Sequence, residues 1–328
     1  MAHSGTLTGI YSDVNSELSD VSARLEEVLS RSFGLLGDCG YGTELLRGKL
    51  VRPALVLMSG KLYRDDVTEL VNLAVASELI HVATLIHDDV VDSAEVRRGI
   101  PAVNVRWDNR SAVLSGDSIV CEGLLLLCEY RRIQAADVMV ATLKRVVEGE
   151  LRQLHSHGTL DETTCIEVAR EKTGSLMSTL CCLPAIWFGG TPMQVESLAQ
   201  FGEHVGVAFQ IVDDVLDVTG ETLSLGKVPL NDIRNGKRTL PLVYLQEVLK
   251  DNQAVKDRLS RPAGSDAPQD REIAWVSELM RESRYTERAL DRASGYAERA
   301  RGFLEVFPDS PAKDALSNLS DFVVEREF

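Results

Sequence analysis

The chain is short of the residues that punctuate and decorate β-structure. Ten prolines and 5% aromatic residues in 328 positions leave little turn chemistry and few ring side chains for a many-stranded sheet protein. The six cysteines lie at 39, 121, 128, 165, 181 and 182. None forms a C-x-x-C pair or has zinc-site spacing, which excludes a zinc module. They are expected to be reduced, mostly core thiols of a cytoplasmic protein. Positive charge is in deficit: 35 Lys and Arg stand against 50 Asp and Glu, a net charge of −15. Coating a nucleic acid needs the opposite field, so no nucleic-acid partner is expected. A local basic pocket for a small phosphorylated ligand remains compatible with that balance. No run reaches the ~18 uninterrupted apolar residues of a membrane span. The best candidate, Thr179 to Gly190, contains Pro184 and ends in two glycines. The opening residues Met1 to Gly5 lack a basic start followed by an apolar stretch, so no secretory signal is expected.

What is present is a globular composition, 44% apolar and 26% charged, in a chain long enough to bury a large core without staples. Helical periodicity dominates. It predicts helices over Tyr11 to Arg31, Leu50 to Leu62, Val67 to Val91, Ser111 to Tyr130, Ala135 to His155, Thr163 to Leu180, Met193 to Val218 and Leu240 to Leu249. The glycine-rich stretch Gly34 to Gly48 reads as a loop or helix junction. A polar stretch, Thr219 to Arg238, separates two helices, and residues 260 to 270 read as a flexible loop. Helical signal resumes to the C-terminus. No strand-like alternation is visible. The whole of 1–328 is expected to form one all-helical domain.

Two apolar helices carry the same acidic signature, D-D-x-x-D: Asp88, Asp89 and Asp92, and again Asp213, Asp214 and Asp217. At ~100° per residue, positions i, i+1 and i+4 share one face. A solvated acidic face is the ordinary explanation for such a cluster. Here Ile86, Val90, Val91, Ile211, Val212 and Leu216 all favour burial, so the carboxylates stand at the edge of a core and need a compensating cation. Two such clusters are explained together if they face one another across a cavity and share divalent metal. The hard, oxygen-loving magnesium ion fits: it keeps water and completes its shell with phosphate oxygens. An EF-hand loop and a His/Cys zinc set are both missing.

Cations that could meet phosphate are spaced along the chain. Lys49 and Arg52 are three residues apart at a helix start. Arg97 and Arg98 follow the first signature after one turn. Lys172 and Thr173 supply an ammonium and a hydroxyl. Lys227 and Lys237 flank the loop after the second signature. His81 lies two turns before Asp88 on the same stripe, and Gln210 shares a stripe with Asp214 and Asp217. Each alone would be an ordinary surface cation or core residue.

In order, the segments G-K-x-x-R-P at Gly48, H-x6-D-D-x-x-D at His81, R-R-G at Arg97, K-T at Lys172, F-Q-x-x-D-D-x-x-D at Phe209, G-K at Lys227 and G-K-x-T-L-P at Gly236 resemble the trans-isoprenyl diphosphate synthases, or polyprenyl synthetases. The ending Asp321 to Arg326 resembles that family's usual terminus. The resemblance implies an all-α bundle around a deep central cavity, a cytoplasmic homodimer and dependence on two to three magnesium ions. It implies that Asp88, Asp92 and Asp213 bind metal, supported by Asp89, Asp214, Asp217 and Lys237. Lys49, Arg52, His81 and Arg98 would bind isopentenyl diphosphate. Arg97, Lys172, Thr173, Gln210 and Lys227 would engage the allylic prenyl diphosphate. One departure is visible: the family places a glycine where this chain has Leu230.

In that family, bulky aromatics just upstream of the first signature stop the growing chain. Here those positions are Ala83 and Thr84, with small Ser77 and Ala76 deeper and Ile80 and Leu79 as partial stops. A turn rises ~5.4 Å, so several prenyl units should pass, and a medium-to-long all-trans product is expected. The alternatives are a farnesyl- or geranylgeranyl-type short-chain synthase, a non-catalytic subunit of a heteromeric synthase, and a class I terpene cyclase. The last is disfavoured by the second D-D-x-x-D together with Lys49 and Arg52.

Overall fold

The computed structural model describes residues 6–46, 48–129, 133–155, 161–219, 231–234, 237, 239–248, 278–280 and 285–325. Among these residues the architecture is all-α apart from one miniature hairpin. The chain divides into two compact units. Lys227, Leu230 and the expected loop at 260–270 lie outside the described residues.

The first unit comprises 1–140, 179–199 and 304–319. Its frame is α1 (Leu7–Ile10), α2 (Asn15–Gly34), α3 (Cys39–Leu45), α4 (Val51–Lys61), α5 (Val71–Val91), α6 (Val103–Arg106) and α7 (Asn109–Glu129). Helix α5 is the buried axis: every residue from Leu73 to Ile80 is buried, and α2, α4 and α7 pack on it. Each Leu, Ile or Val fully removed from water there stabilises the fold by roughly 1.5–3 kcal/mol. Gly123 on α7 permits a close approach, since a Cβ there would sit 3.3 Å from the Ala76 carbonyl oxygen and from Ile80 Cγ1.

The stretch Gly34 to Gly48, expected to be a loop or helix junction, holds the short helix α3. Asp38 caps α3 by accepting from the backbone N–H groups of Gly40 (3.1 Å) and Tyr41 (3.2 Å). Tyr41 and Leu45 bury their side chains. A Cβ on Gly42 would come within 2.8 Å of the Leu29 backbone, so glycine there permits helix contact and is no breaker.

Strands β1 (Val96–Arg97) and β2 (Ile100–Pro101) pair antiparallel, against the expectation of none. Arg98 and Gly99 form the connecting turn with φ of 53° and 81°, the double left-handed conformation of a type I′ hairpin. Two-residue strands are too short to leave an alternation in the sequence.

The second unit comprises 141–178, 200–303 and 320–328. It takes in residues from 141 of α8 (Ile133–His155), α9 (Glu162–Ala169), the first turn of α10 (Ser175–Trp187), residues from 200 of α11 (Pro192–Thr219), α12 (Asn231–Arg234), α13 (Leu240–Val248) and α14 (Tyr285–Phe303). A last helix, α15, spans Pro311–Glu325. Val218, Ile233, Leu242, Leu245 and Met280 form an apolar cluster of this unit. The expected helix Thr163 to Leu180 is interrupted by a π-turn, Arg170–Gly174. Pro184 lies inside α10 and does not end it.

Two stretches, Thr68–Val91 and Asn109–Glu129, are long and apolar enough by length and composition to cross a membrane, although each is interrupted by polar residues. The first has 67% of its most apolar window buried inside the protein, the second 33%.

Candidate active site

Among the described residues three non-glycine positions have positive φ: Leu50, Ser93 and Arg98. Such backbone costs of order 1 kcal/mol or more each and collects at functional sites. Leu50 separates Lys49 from Arg52, Ser93 follows Asp92, and Arg98 belongs to R-R-G. Strain therefore coincides with three of the segments singled out by their chemistry.

The first acidic signature closes α5. Ala94 N–H donates to the Asp89 carbonyl (2.9 Å) and Ser93 N–H to the Val90 carbonyl (3.3 Å), a Schellman ending with serine where glycine is usual. Asp88, Asp89 and Asp92 thus crowd the carbonyl end of a helix, where the macrodipole is already negative. The second signature repeats this: Asp213, Asp214 and Asp217 lie in the last two turns of α11, which ends at Thr219. Carboxylates gathered twice at negative helix ends call for compensating positive charge or hydrogen-bond donors. No three His, Cys, Asp or Glu side chains among the described residues enclose a metal position by themselves. That arrangement suits an ion that takes one or two carboxylates and fills its shell with water and phosphate.

Within the first unit Asp89 is 2% exposed and grips Arg97 through both Nε (3.0 Å) and a terminal nitrogen. Burial raises the Asp89 carboxyl, Arg97 opposes that, and Asp92 adds to it. The hairpin turn sends Arg98 elsewhere: it donates to the Leu45 carbonyl and approaches Glu78 Oε1 at 3.8 Å. His81, half-buried one turn after Glu78, is driven well below the usual imidazole range by burial and by Arg52, Arg98 and Arg97. It is neutral at pH 7 and offers one N–H donor. Lys49 is exposed, and its carbonyl accepts from the Tyr11 hydroxyl at 3.0 Å. Arg52, Arg97, Arg98 and His81 therefore gather around α5. Along the same helix Ala83 is fully buried, and Thr84 turns its hydroxyl to the His81 carbonyl (2.8 Å). Ile80 lies against Gly123 of α7.

Within the second unit the π-turn presents Lys172 and Thr173. A widened turn of this kind re-aims side chains and recurs at functional sites. Thr173 Oγ1 donates to Gln210 Oε1 (2.7 Å), and Gln210 Nε2 donates to Asp214 Oδ1 (2.9 Å). Burial, Asp232 and Asp213 push the Asp214 carboxyl well above its ordinary value, against Gln210 and Lys172. Asp217, 1% exposed, accepts from the Asp232 backbone N–H at 3.2 Å and so ties the start of α12 to the end of α11. Lys172 pairs with Glu150, and Lys237 approaches the same carboxylate at 3.8 Å.

Sequence reasoning missed Glu78, Glu150 and Asp232. Glu78 left a signal, a lone carboxylate within an apolar run three residues before His81. Glu150 and Asp232 left none, because each stands among other polar residues.

The polyprenyl synthetase family model matches residues 41–280. The nonaprenyl diphosphate synthase of Mycobacterium tuberculosis is 36% identical over 317 residues, covering 94% of this chain and 90% of that protein. Heptaprenyl diphosphate synthase component 2 of Geobacillus stearothermophilus is 31% identical over 98% of this chain and 99% of its own length. Among solved structures, a polyprenyl synthase from Caulobacter crescentus, complexed with calcium and isoprenyl diphosphate, superposes with a TM-score of 0.88 at 28% identity, covering 99% of both chains. A decaprenyl diphosphate synthase from Rhodobacter capsulatus gives 0.86 at 30% identity, covering 98% of this chain and all of that one. Taken with the ordered segments and the helix-end carboxylates, these matches show that the chain belongs to the polyprenyl synthetase family and is a trans-prenyltransferase.

Proposed function

We propose that the protein catalyses magnesium-dependent head-to-tail (1′-4) condensation of isopentenyl diphosphate with an allylic prenyl diphosphate, and releases a medium-to-long, octaprenyl-like all-trans polyprenyl diphosphate. The observation that carries this reading is the pair of D-D-x-x-D signatures at the negative ends of α5 and α11, each with its own cations and hydrogen-bond donors. Asp88, Asp92 and Asp213 would hold the metal. Bound magnesium would neutralise charge growing on the departing diphosphate, which favours cleavage of the allylic C–O bond. The calcium and isoprenyl diphosphate in the Caulobacter relative support a divalent ion with diphosphate chemistry.

The protein's own groups then have distinct tasks. Lys172, Thr173, Gln210, Lys227 and Arg97 hold the allylic diphosphate. Lys49, Arg52, Arg98 and neutral His81 hold isopentenyl diphosphate, whose double bond attacks the allylic cation. One C–C bond forms, the C–O bond breaks, and a proton leaves to the released diphosphate. Asp89 orients Arg97, Asp217 ties the start of α12 to the end of α11, and Gln210 relays from Thr173 to Asp214. The apolar residues of α5 below the signature keep water from the cation. Buried, small Ala83 supports a product longer than a short-chain synthase makes, in line with the heptaprenyl and nonaprenyl names of the relatives.

We place the enzyme in the cytoplasm as a homodimer. Leu114, Cys121, Leu125 and Cys128 form an exposed, mainly apolar stripe on α7, and a second copy would cover it.

The test is a product assay with magnesium, isopentenyl diphosphate and farnesyl diphosphate, read by chain length. The parent should give polyprenyl products. Asp88→Ala and Asp213→Ala should lose turnover by several orders of magnitude and keep the parent's melting temperature, because removing one of several crowded like charges does not unfold a helix. Full activity in either variant would refute the metal assignment.

A further inference from the structure

Glu150 stands outside every segment that announces the site, yet it sits between two of its lysines. Its carboxylate pairs with Lys172 through Oε2 and lies 3.8 Å from Lys237 Nζ through Oε1. The Lys237 side chain is only 7% exposed, so its ammonium needs a nearby anion. Burial alone would raise the Glu150 carboxyl, and the two ammonium groups outweigh it and hold it below its ordinary range.

The contact is built by the backbone. A Cβ on Gly149 would fall 2.8 Å from Glu171 Cβ and 3.0 Å from the Lys172 nitrogen, so α8 lies directly on the π-turn. Three further hydrogen bonds tie the same faces. Arg152 makes a two-pronged pair with Glu171 (3.0 and 3.1 Å), and Gln153 Oε1 accepts from Lys172 Nζ at 3.4 Å. One short segment, 149–153, thus fixes the turn, its Lys172 and a second lysine, Lys237, 65 positions after Lys172.

We infer that Glu150 is a positioning residue, which draws the ammonium groups of Lys172 and Lys237 together so that both address one anion, the allylic diphosphate. The inference rests on the reading of Lys172 as a diphosphate ligand. Without the carboxylate the two like charges repel and separate, and an incoming diphosphate must gather them itself. Glu150 touches no reacting atom.

Two measurements on the full chain test this, with Glu150→Gln as the main variant and Glu150→Asp as the charge-conserving one. In the first, lysines are labelled with acetic anhydride and the peptides quantified by mass spectrometry. Lys172 and Lys237 should react several-fold faster in Glu150→Gln than in the parent, with the other lysines unchanged and Glu150→Asp between the two. In the second, steady-state kinetics should show the KM for the allylic diphosphate raised roughly tenfold, as expected for loss of charge-assisted preorganisation, and the KM for isopentenyl diphosphate unchanged. Unaltered labelling of both lysines in Glu150→Gln would overturn the inference, whatever the activity. Equal rises in both KM values, or tighter inorganic pyrophosphate binding by Glu150→Gln, would also overturn it, the latter by showing that the carboxylate competes with the ligand. If Lys172→Ala leaves the allylic KM unchanged while the labelling result holds, the diphosphate role of Lys172 fails and the pairing by Glu150 stands. Should Glu150→Gln not fold, Glu150→Asp carries both tests.

Discussion

Gly206→Ala adds one methyl group where two backbones touch. An alanine Cβ at 206 would lie 2.6 Å from Gly174 Cα and 3.0 Å from both the Gly174 nitrogen and the Thr173 carbonyl oxygen. Carbon atoms rest ~3.5–4.0 Å apart, and no flexible side chain is present to yield. Helix α11 and the π-turn must therefore part by ~1 Å. The Thr173–Gln210 hydrogen bond, now 2.7 Å, would stretch past its useful range of ~3.5 Å. Overpacking costs about 1–3 kcal/mol and the lost bond about 0.5–1.5 kcal/mol. At roughly 2 °C per kcal/mol for a chain of this size, the melting temperature should fall by about 3–9 °C. The same displacement carries Thr173 away from its partner, so the KM for the allylic diphosphate should rise while that for isopentenyl diphosphate does not. Gly302→Ala is the control. A Cβ there meets nothing within 4 Å, and in an exposed helix alanine should add up to about 1 kcal/mol. Thermal unfolding by scanning fluorimetry and steady-state kinetics read both effects. A Gly206→Ala protein with the parent's melting temperature and kinetic constants would show that the close approach does not govern the turn.

Ala83→Phe should shorten the product by two or more prenyl units with turnover retained, as read by chromatography of the dephosphorylated products; an unchanged chain length would refute α5 as a wall of the product path. His81 has a folded-state pKa well below its reference of 6.5, so the unfolded chain binds the extra proton first as pH falls. Stability should hold above pH ~6.5 and decline below it, at up to ~1.4 kcal/mol per pH unit for one proton. His81→Gln should decline less between pH 7 and 5.5 in denaturant titrations, and an identical decline would place the effect elsewhere, with His204 the other histidine shifted downward among the described residues. Leu125→Glu puts a charge in the middle of the α7 stripe and should shift a dimer toward monomer in sedimentation velocity runs; a parent that already sediments as a monomer would refute the assembly.

The long helices were legible because apolar residues repeat at helical spacing over three or more turns, as in α5, α7 and α11. The chemistry was legible where like residues sit together against the local trend, as Asp88 and Asp89 do in an apolar helix. Features set by contact left no such mark. Asp38 caps α3 in a glycine-rich stretch, and only the buried Tyr41 and Leu45 show why those glycines do not break it. The π-turn under Lys172 inserts no unusual residue, so the periodicity ran through it. In sequence Arg97 and Arg98 are simply adjacent cations, which the family resemblance assigns to two substrates; that they diverge follows from the positive φ at Arg98, which sequence alone does not dictate.

That two-residue turn also constrains how the chain can vary. Arg97 reaches Asp89 near the end of α5, and Arg98 reaches toward Glu78, eleven positions earlier on the same helix, or ~16 Å along its axis. Neighbours in sequence are thus yoked to anchors three turns apart, and the yoke is a single tight reversal. Inserting or deleting one residue between Val96 and Pro101 would invert which guanidinium faces which anchor, since a one-step slip exchanges the two faces of a strand. Homologues and engineered variants should therefore tolerate changed side chains around this reversal far better than a changed count of residues.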